Sequence, residues 1–205
     1  MTEPTAISFF TVLLHLLTFA LGFFTAIFAE PIRRRLFRPE LKLNFFEKPD
    51  CISPTPEVIA GKEHQAFYIR VEVTTTTRRM ARGCRAYLVN IEKKNEETRE
   101  FEPTVYCDSI QLAWACKRTD EERYQGIDIS NGVRQFLDLF STRDDIPIFI
   151  PKTLVWPYRY NDLLRQEGVL RFTVQVSAEE ADPKFIKLDL DWKGHWKDFK
   201  VSKNC

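Results

Sequence analysis

The chain has 205 residues, with 30 Lys and Arg against 29 Asp and Glu and a formal net charge of +1. This length predicts one domain with room for an anchor, and the near-neutral charge argues against a protein that coats nucleic acid through a basic face. Aromatic residues make up 13% of the chain and charged residues 29%, which excludes a disordered chain. The five cysteines are odd in number and widely spaced, so the sequence indicates neither a disulfide framework nor a zinc site.

The first predicted element is a membrane-spanning helix at residues 6–29, which contain no charged residue. At about 1.5 Å per residue this helix is long enough to cross a hydrocarbon core of about 30 Å. A cleaved signal peptide is the competing interpretation. It is disfavoured because residues 1–5 contain no Lys or Arg and because the apolar run is too long. We expect Pro31 to mark the end of the helix.

The basic residues that flank this span predict its orientation. Residues 1–5 contain none, whereas residues 30–40, which we interpret as a juxtamembrane connector, contain a cluster. The arginines of this cluster are Arg33, Arg34, Arg35 and Arg38. The positive-inside rule places them against the inner-leaflet headgroups, with the N-terminus outside and the following domain in the cytoplasm. The predicted location is the plasma (inner) membrane.

One face of the predicted span collects its small and polar residues. In steps of three and four these residues are Ser8, Thr11, His15, Thr18, Gly22, Thr25 and Ala29. In lipid, small residues let two helices approach closely and hydroxyl groups can hydrogen-bond between helices, so this seam predicts a homo-oligomer. The alternative is that the hydroxyl groups bond to carbonyls of their own helix and that the spacing has no role in association.

Residues 41–205 are predicted to form an antiparallel all-β domain. Apolar and polar residues alternate there in short runs that are separated by turn residues. The clearest runs are 67–74, 84–91, 170–176 and 186–192. Residues 133–140 also fit helical spacing, but we interpret them as a strand because their neighbours are strands. One helical turn is expected within residues 156–165.

Two stretches of this domain carry a resemblance to known proteins. Residues 68–88, which read YIRVEVTTTTRRMARGCRAYL, are similar to a hairpin of bacterial immunoglobulin-like sandwich domains, although Thr75–Thr77 stand where Asn and Gly are expected. Residues 174–192 resemble the final hairpin of small membrane-tethered bacterial proteins without assigned activity. The resemblance implies an immunoglobulin-like β-sandwich and a role in binding or scaffolding, but a fold alone does not fix a function.

The sequence offers little catalytic chemistry. It contains no G-x-S-x-G, H-E-x-x-H, Walker or G-x-G-x-x-G motif. We expect His64 to be a solvated loop residue, His195 to have a structural role, and Asp144 and Asp145 to lie in a solvated loop. No enzyme activity, cofactor or metal is therefore predicted.

The densest basic feature consists of Arg78, Arg79, Arg82 and Arg85. Four guanidinium groups at or near a predicted hairpin turn could bind phosphate. Nucleic acid is not the expected partner, because no aromatic residue is interleaved to stack bases. A solvated hairpin tip and an anionic partner remain as interpretations.

The leading hypothesis is a single-pass membrane protein that displays a β-sandwich module for binding another protein. Two alternatives stay open: a membrane-tethered enzyme that uses His195 and nearby carboxylates, and an exported receptor or adhesion domain with the reversed topology. Trp114 and Trp192 are expected in the core, whereas Trp156 and Trp196 fall in loops and could mark a contact surface.

Overall fold

An apolar helix and a β-sheet domain follow each other along the chain. The computed structural model describes residues 9–36 and 38–204, with the side chains of all of them except residues 9, 10, 30–36 and 147. The chain divides into two units, Met1–Arg38 and Pro39–Cys205.

The helix, α1, extends over Phe9–Leu36. Within it Thr11–Ala29 have a mean hydropathy of 2.2 and every side chain is exposed, so this stretch is long and apolar enough to cross a membrane. The predicted end at Pro31 is wrong, because the helix continues to Leu36. Pro31 removes one backbone hydrogen bond from the helix. The basic residues of the last turns oppose this effect, because positive charge near the C-terminal end of a helix interacts favourably with the helix dipole.

The domain is built from short antiparallel strands. Those of residues 38–204 are β1 (Leu41–Asn44), β2 (Ile52–Pro54), β3 (Glu57–Ile59), β4 (Lys62–His64), β5 (Ala66–Thr75), β6 (Ala81–Lys94), β7 (Phe101–Pro103), β8 (Ile110–Gln111), β9 (Ala113–Trp114), β10 (Ile127–Ile129), β11 (Gln135–Arg143), β12 (Ile146–Pro151), β13 (Gly168–Ala178), β14 (Ala181–Trp192) and β15 (Phe199–Asn204). A short helix α2 (Asp120–Tyr124) precedes β10, and a 3-10 helix (Tyr158–Leu164) precedes β13. The strand predicted within residues 133–140 is confirmed, although β11 begins only at Gln135, and the helical turn predicted within residues 156–165 is confirmed as well.

The strands form two large sheets and a small ribbon. The first sheet has the order β1-β5-β11-β12, with β2 also paired to β5 and β9 also paired to β11. The second has the order β10-β6-β13-β14-β15, with β7 and β8 also paired to β6. The strands β3 and β4 pair only with each other among the described residues.

The two sheets share one buried core, in which aromatic rings from both sheets meet. The rings of Phe140 on β11 and Phe172 on β13 have centroids 4.5 Å apart, and those of Phe149 on β12 and Trp192 on β14 are 5.4 Å apart. Trp114 and Trp192 are 0% and 3% exposed, which confirms that both are core residues. The apolar faces of the alternating strands therefore point inward from the two sheets.

One predicted hairpin is wrong and the other is confirmed. Residues 68–88 do not form a hairpin, because β5 belongs to the first sheet and β6 to the second. Each strand has one buried face, and alternation alone does not show whether two such faces lie in one sheet or in two facing sheets. The later hairpin is present: β13 pairs with β14, and Ala178 lies opposite Ala181 at its turn.

Candidate functional site

Four exposed arginines form a surface at the start of β6, which we call the arginine surface. Its members are Arg78, Arg79, Arg82 and Arg85. The first two lie in the loop between β5 and β6, and the other two lie on β6 itself. This loop passes from one sheet to the other, so the predicted hairpin tip is a connection between sheets.

A β-bulge places both arginines of β6 on its outer face. Gly83 lies between them with φ at +59°, a left-handed conformation that glycine adopts without strain. The register between β10 and β6 shifts here, so Ala81 and Cys84 both point into the core. Arg82 and Arg85, each one residue further along, both point to solvent. A regular strand would direct them to opposite faces.

The arginine surface lies beside the point where the chain enters the domain. The backbone N–H of Thr76 donates to the carbonyl of Glu40 at 3.0 Å, and the Thr76 hydroxyl donates to the Glu40 carboxylate at 3.1 Å. Lys184 on β14 lies 3.4 Å from the same carboxylate. The hydrogen bond from the Thr76 hydroxyl, which has the larger effect, and the contact with Lys184 hold the pKa of Glu40 below its ordinary value. These contacts fix the first residues of the domain next to the β5–β6 loop.

The surroundings of the arginine surface carry both signs of charge. The turn between β13 and β14 contains Glu179 and Glu180, and the Glu179 N–H donates to the Arg82 carbonyl at 3.1 Å. Among the described residues, Arg78, Arg82 and Arg85 make no ion pair. Three guanidinium groups are thus available for an anion from outside the domain.

A second cluster, which the sequence did not predict, surrounds Glu57 on the outer side of the first sheet. The Glu57 carboxylate accepts hydrogen bonds from the Tyr68 hydroxyl, from Lys152 at 3.1 Å and from Arg143 at 3.4 Å. Burial alone would raise the pKa of Glu57, but these three donors outweigh it and hold the pKa below its ordinary value. Burial lowers the pKa of Lys152. The cluster attaches the β3–β4 ribbon to the sheet.

A second group of ion pairs attaches α2 to the same sheet. Asp138 on β11 is 2% exposed and lies 2.7 Å from Arg70 on β5 and 3.2 Å from Arg123 on α2. A buried carboxylate needs such partners, because an unpaired charge is costly to remove from water. These ion pairs therefore hold α2 against the first sheet.

His64 is not the solvated loop residue that we expected. It is 8% exposed, and its Nδ1 lies 3.2 Å from Asp144 and 3.7 Å from Asp145. The β3–β4 ribbon brings it against the turn between β11 and β12, about eighty residues later in the chain, which local sequence does not reveal.

His64, Asp144 and Asp145 form a group that we call the His64 cluster. Among the described residues, it is the group whose ligand atoms are close enough to hold a metal ion, since they all lie within 4.8 Å of one another. Both carboxylates already have protein donors, since Arg143 lies 2.5 Å from Asp145 and the Gln65 N–H donates to Asp144 at 3.2 Å. The pKa of Asp144 is held low by the Gln65 N–H and then by His64, and that of Asp145 by Arg143. The hydrogen bonds and ion pairs within the protein therefore explain why these three side chains lie close together.

His195 lies exposed in the loop between β14 and β15. Its Nδ1 accepts the N–H of Lys197 at 3.3 Å, and its carbonyl accepts the indole N–H of Trp192 at 3.0 Å. These bonds are those of a turn residue and do not favour the hypothesis of a catalytic histidine.

The tryptophans expected at a contact surface are only partly exposed. Trp196 packs on Phe67 with centroids 5.6 Å apart, and Trp156 packs against both Tyr106 and Tyr160. More exposed apolar side chains lie next to Trp156 along the chain. They are Leu154, Val155 and Tyr158, with exposures of 57%, 63% and 88%.

The polar groups of the helix seam bond within their own helix. The Thr18 hydroxyl donates to the Leu14 carbonyl at 3.0 Å and that of Thr25 to the Gly22 carbonyl at 2.8 Å, while Nδ1 of His15 lies 2.6 Å from the Thr11 carbonyl. This is the arrangement that the alternative interpretation expects.

Other predicted site residues are placed in part. Gly22 and Ala29 are exposed on α1. Ser8 and the N-terminal residues 1–5 lie outside the described residues, as do the side chains of Arg33, Arg34 and Arg35, whose backbone belongs to the last turns of α1. Arg38 is exposed just after the helix.

No protein-family profile, curated protein or solved structure matches this chain. Its function must be inferred from its own residues and their geometry.

Proposed function

We propose that the protein is a single-pass membrane protein that displays a β-sandwich binding domain on the cytoplasmic side of the plasma (inner) membrane. The observation that carries this proposal is the complete exposure of the side chains of Thr11–Ala29, whose mean hydropathy is 2.2. Burial of apolar surface is worth about 25 cal/mol per Å², and no described part of the chain covers this surface. Lipid would cover it.

The charges on the two sides of the helix support the cytoplasmic placement of the domain. Arg33, Arg34 and Arg35 belong to the last turns of α1, and residues 1–5 contain no basic residue. Basic residues stay on the cytoplasmic side during insertion. The four described cysteines outside the helix are free thiols, which suits a reducing compartment.

The strand order supports an immunoglobulin-like sandwich. In chain order, β1, β5, β6, β9, β11, β13 and β14 correspond to strands A to G of that fold. The order β1-β5-β11-β9 then matches A-B-E-D of one sheet, and β6-β13-β14 matches C-F-G of the other. The passage from β5 to β6 is the crossing from strand B to strand C.

A binding role agrees with the surface of the domain. The exposed side chains of Leu154, Val155 and Tyr158 are large and apolar and follow one another closely along the chain. Clustered apolar side chains on a soluble surface are typical of protein-binding sites. We therefore propose another protein as the partner of the domain, and a second copy of the chain as the partner of α1.

Alkaline extraction of membranes from cells that express the full chain tests the anchoring. We expect the protein to stay in the membrane pellet. Replacement of both Leu17 and Leu21 by Arg should release it, because each arginine near the centre of a span costs about 2.5–3.5 kcal/mol. The control is replacement of the same two residues by Ala. Recovery of the unaltered chain in the soluble fraction would refute the proposal.

A further inference from the structure

We propose that the arginine surface binds the phosphate headgroups of anionic lipids in the same membrane that holds α1. This inference rests on the proposed function, because it requires α1 to cross the membrane. It assigns the four arginines a ligand, and it implies that the β5–β6 loop lies against the membrane surface.

The first argument is the length of the chain between the helix and the arginine surface. Glu40 is the fourth residue after Leu36, where α1 ends. A fully extended chain of this length reaches at most about 14 Å. Glu40 is itself hydrogen-bonded to Thr76, two residues before Arg78. The covalent connection therefore limits how far the β5–β6 loop can lie from the end of α1.

The second argument is the chemistry of the loop. The planar guanidinium group binds phosphate oxygens through paired hydrogen bonds, and an anionic leaflet attracts basic residues that lie within a Debye length of it. Met80 lies between Arg79 and Arg82 in the sequence and is 38% exposed, and Val133, in the loop that follows β10, is 41% exposed; β10 pairs with β6. Arginine beside exposed apolar side chains suits the boundary between headgroups and acyl chains.

The nearby acids limit which arginines carry the contact. Glu179 and Glu180 lie on the turn beside Arg82 and would repel an anionic surface. Arg78 and Arg79 lie on the loop itself, next to Thr76 and Thr77, which both hydrogen-bond to Glu40. We expect Arg78, which is one of the three available guanidinium groups, to make the main contribution.

Fluorescence quenching in nanodiscs tests this inference on the full chain. A fluorophore is attached to Met80→Cys in a chain that carries Ser at positions 107, 116 and 205. Cys51 and Cys84 are buried and are left in place. Discs contain a spin label on the lipid headgroup and either phosphatidylcholine alone or added phosphatidylglycerol. We expect about two-fold or greater quenching in the anionic discs, and loss of the difference near 1 M salt, where the Debye length is about 3 Å.

Two matched sets of substitutions assign the effect to the arginines. Replacement of the four arginines of the surface by Gln should abolish the difference between the two lipids. The control replaces four other exposed basic residues by Gln, and the difference should persist. These residues are Lys62, Arg99, Arg118 and Lys197, and their removal changes the net charge equally. A fluorophore at Glu97→Cys, at the other end of β6, should not respond to the lipid.

The outcomes separate this inference from the proposed function. A chain that does not enter nanodiscs at all would refute the membrane anchor. A chain that enters them but is quenched equally in both lipids, or equally after the arginine substitutions, would refute headgroup binding alone. Binding of a soluble RNA oligomer that displaces the loop from anionic discs and depends on the same arginines would assign the surface to nucleic acid instead.

Discussion

Glu57 links the β3–β4 ribbon to the first sheet, in addition to the contacts that His64 makes with Asp144 and Asp145. Its carboxylate accepts from Tyr68, Lys152 and Arg143, which come from β5, from the residue after β12 and from the end of β11. Because these donors are far apart in sequence, one carboxylate joins several parts of the chain. Its removal leaves two buried cations with less compensation.

We predict that Glu57→Gln lowers the free energy of unfolding of the domain by about 1–3 kcal/mol at neutral pH. The measurement is chemical unfolding of the full chain in detergent, followed by tryptophan fluorescence. All four tryptophans lie in the β-sheet domain, so the signal reports on that domain. The control is Glu63→Gln, which changes an exposed carboxylate of the same ribbon and should cost less than about 0.5 kcal/mol. Equal stability of the two variants would show that the cluster does not hold the ribbon.

The lowered pKa of Glu57 also predicts a dependence on pH. A carboxyl group whose pKa is lower in the folded than in the unfolded state contributes stability above its ordinary pKa of 4.5, and loses it as the pH falls through the folded value. The difference in unfolding free energy between the natural chain and Glu57→Gln should therefore be constant at neutral pH and shrink below about pH 4.5. Urea unfolding of both proteins over this range measures it. A difference that grows as the pH falls would contradict the assignment.

At the scale of elements, the hydrogen bonds within α1 determine which residues of its seam can contact a second helix. The hydroxyl groups of Thr18 and Thr25 already bond to carbonyls of α1, so they offer little to a second helix. Gly22 differs, because a side chain there would meet nothing within 4 Å in a single helix. A larger residue at this position therefore affects a helix pair without straining the single helix.

We predict that Gly22→Leu weakens self-association of the full chain in a membrane far more than Thr18→Val does, and that Leu13→Ala has little effect. Interhelical hydrogen bonds in membranes contribute only about 0.6 kcal/mol each, whereas a larger residue at Gly22 separates two backbones. Energy transfer between labelled copies in vesicles ranks the three variants. Equal transfer in all of them would show that the seam is not an interface.

Several elements of the fold could be predicted from local patterns, and others could not. Alternation identified the strands at 170–176 and 186–192, and the resemblance to a final hairpin predicted their pairing; they are neighbours in both sequence and space. Alternation also identified β5 and β6 but not their separation into two sheets, because that depends on contacts with β11 and β13. The continuation of α1 past Pro31 likewise depends on the whole helix and not on one residue.

The candidate sites also differ in whether the local sequence reveals them. The arginine surface was visible in the sequence because its members lie within eight residues of one another. The bulge at Gly83 that places two of them on one face was not. The Glu57 cluster joins residues that are up to 95 positions apart, and the local sign of it is the long polar side chain of Tyr68 on the outer face of β5.

For the whole molecule, the proposed function requires the β-sheet domain to lie on the cytoplasmic side of the membrane. Contact of the arginine surface with the inner leaflet requires a cytoplasmic domain, and the free thiols of the domain agree with one, whereas anchoring through α1 is compatible with either side. The alternative of an exported receptor requires the opposite side. Cys107 and Cys116 are exposed free thiols of the domain and provide natural probes of its location.

Labelling with a membrane-impermeant maleimide tests this placement most directly. In intact cells (spheroplasts where an outer membrane is present) we predict that the full chain is not labelled, and that Cys107 and Cys116 become labelled once the membrane is permeabilised. A second variant, Thr5→Cys with Ser at positions 107, 116 and 205, should be labelled before permeabilisation. Labelling of Cys107 and Cys116 in intact cells, with no labelling at position 5, would contradict the cytoplasmic placement of the domain.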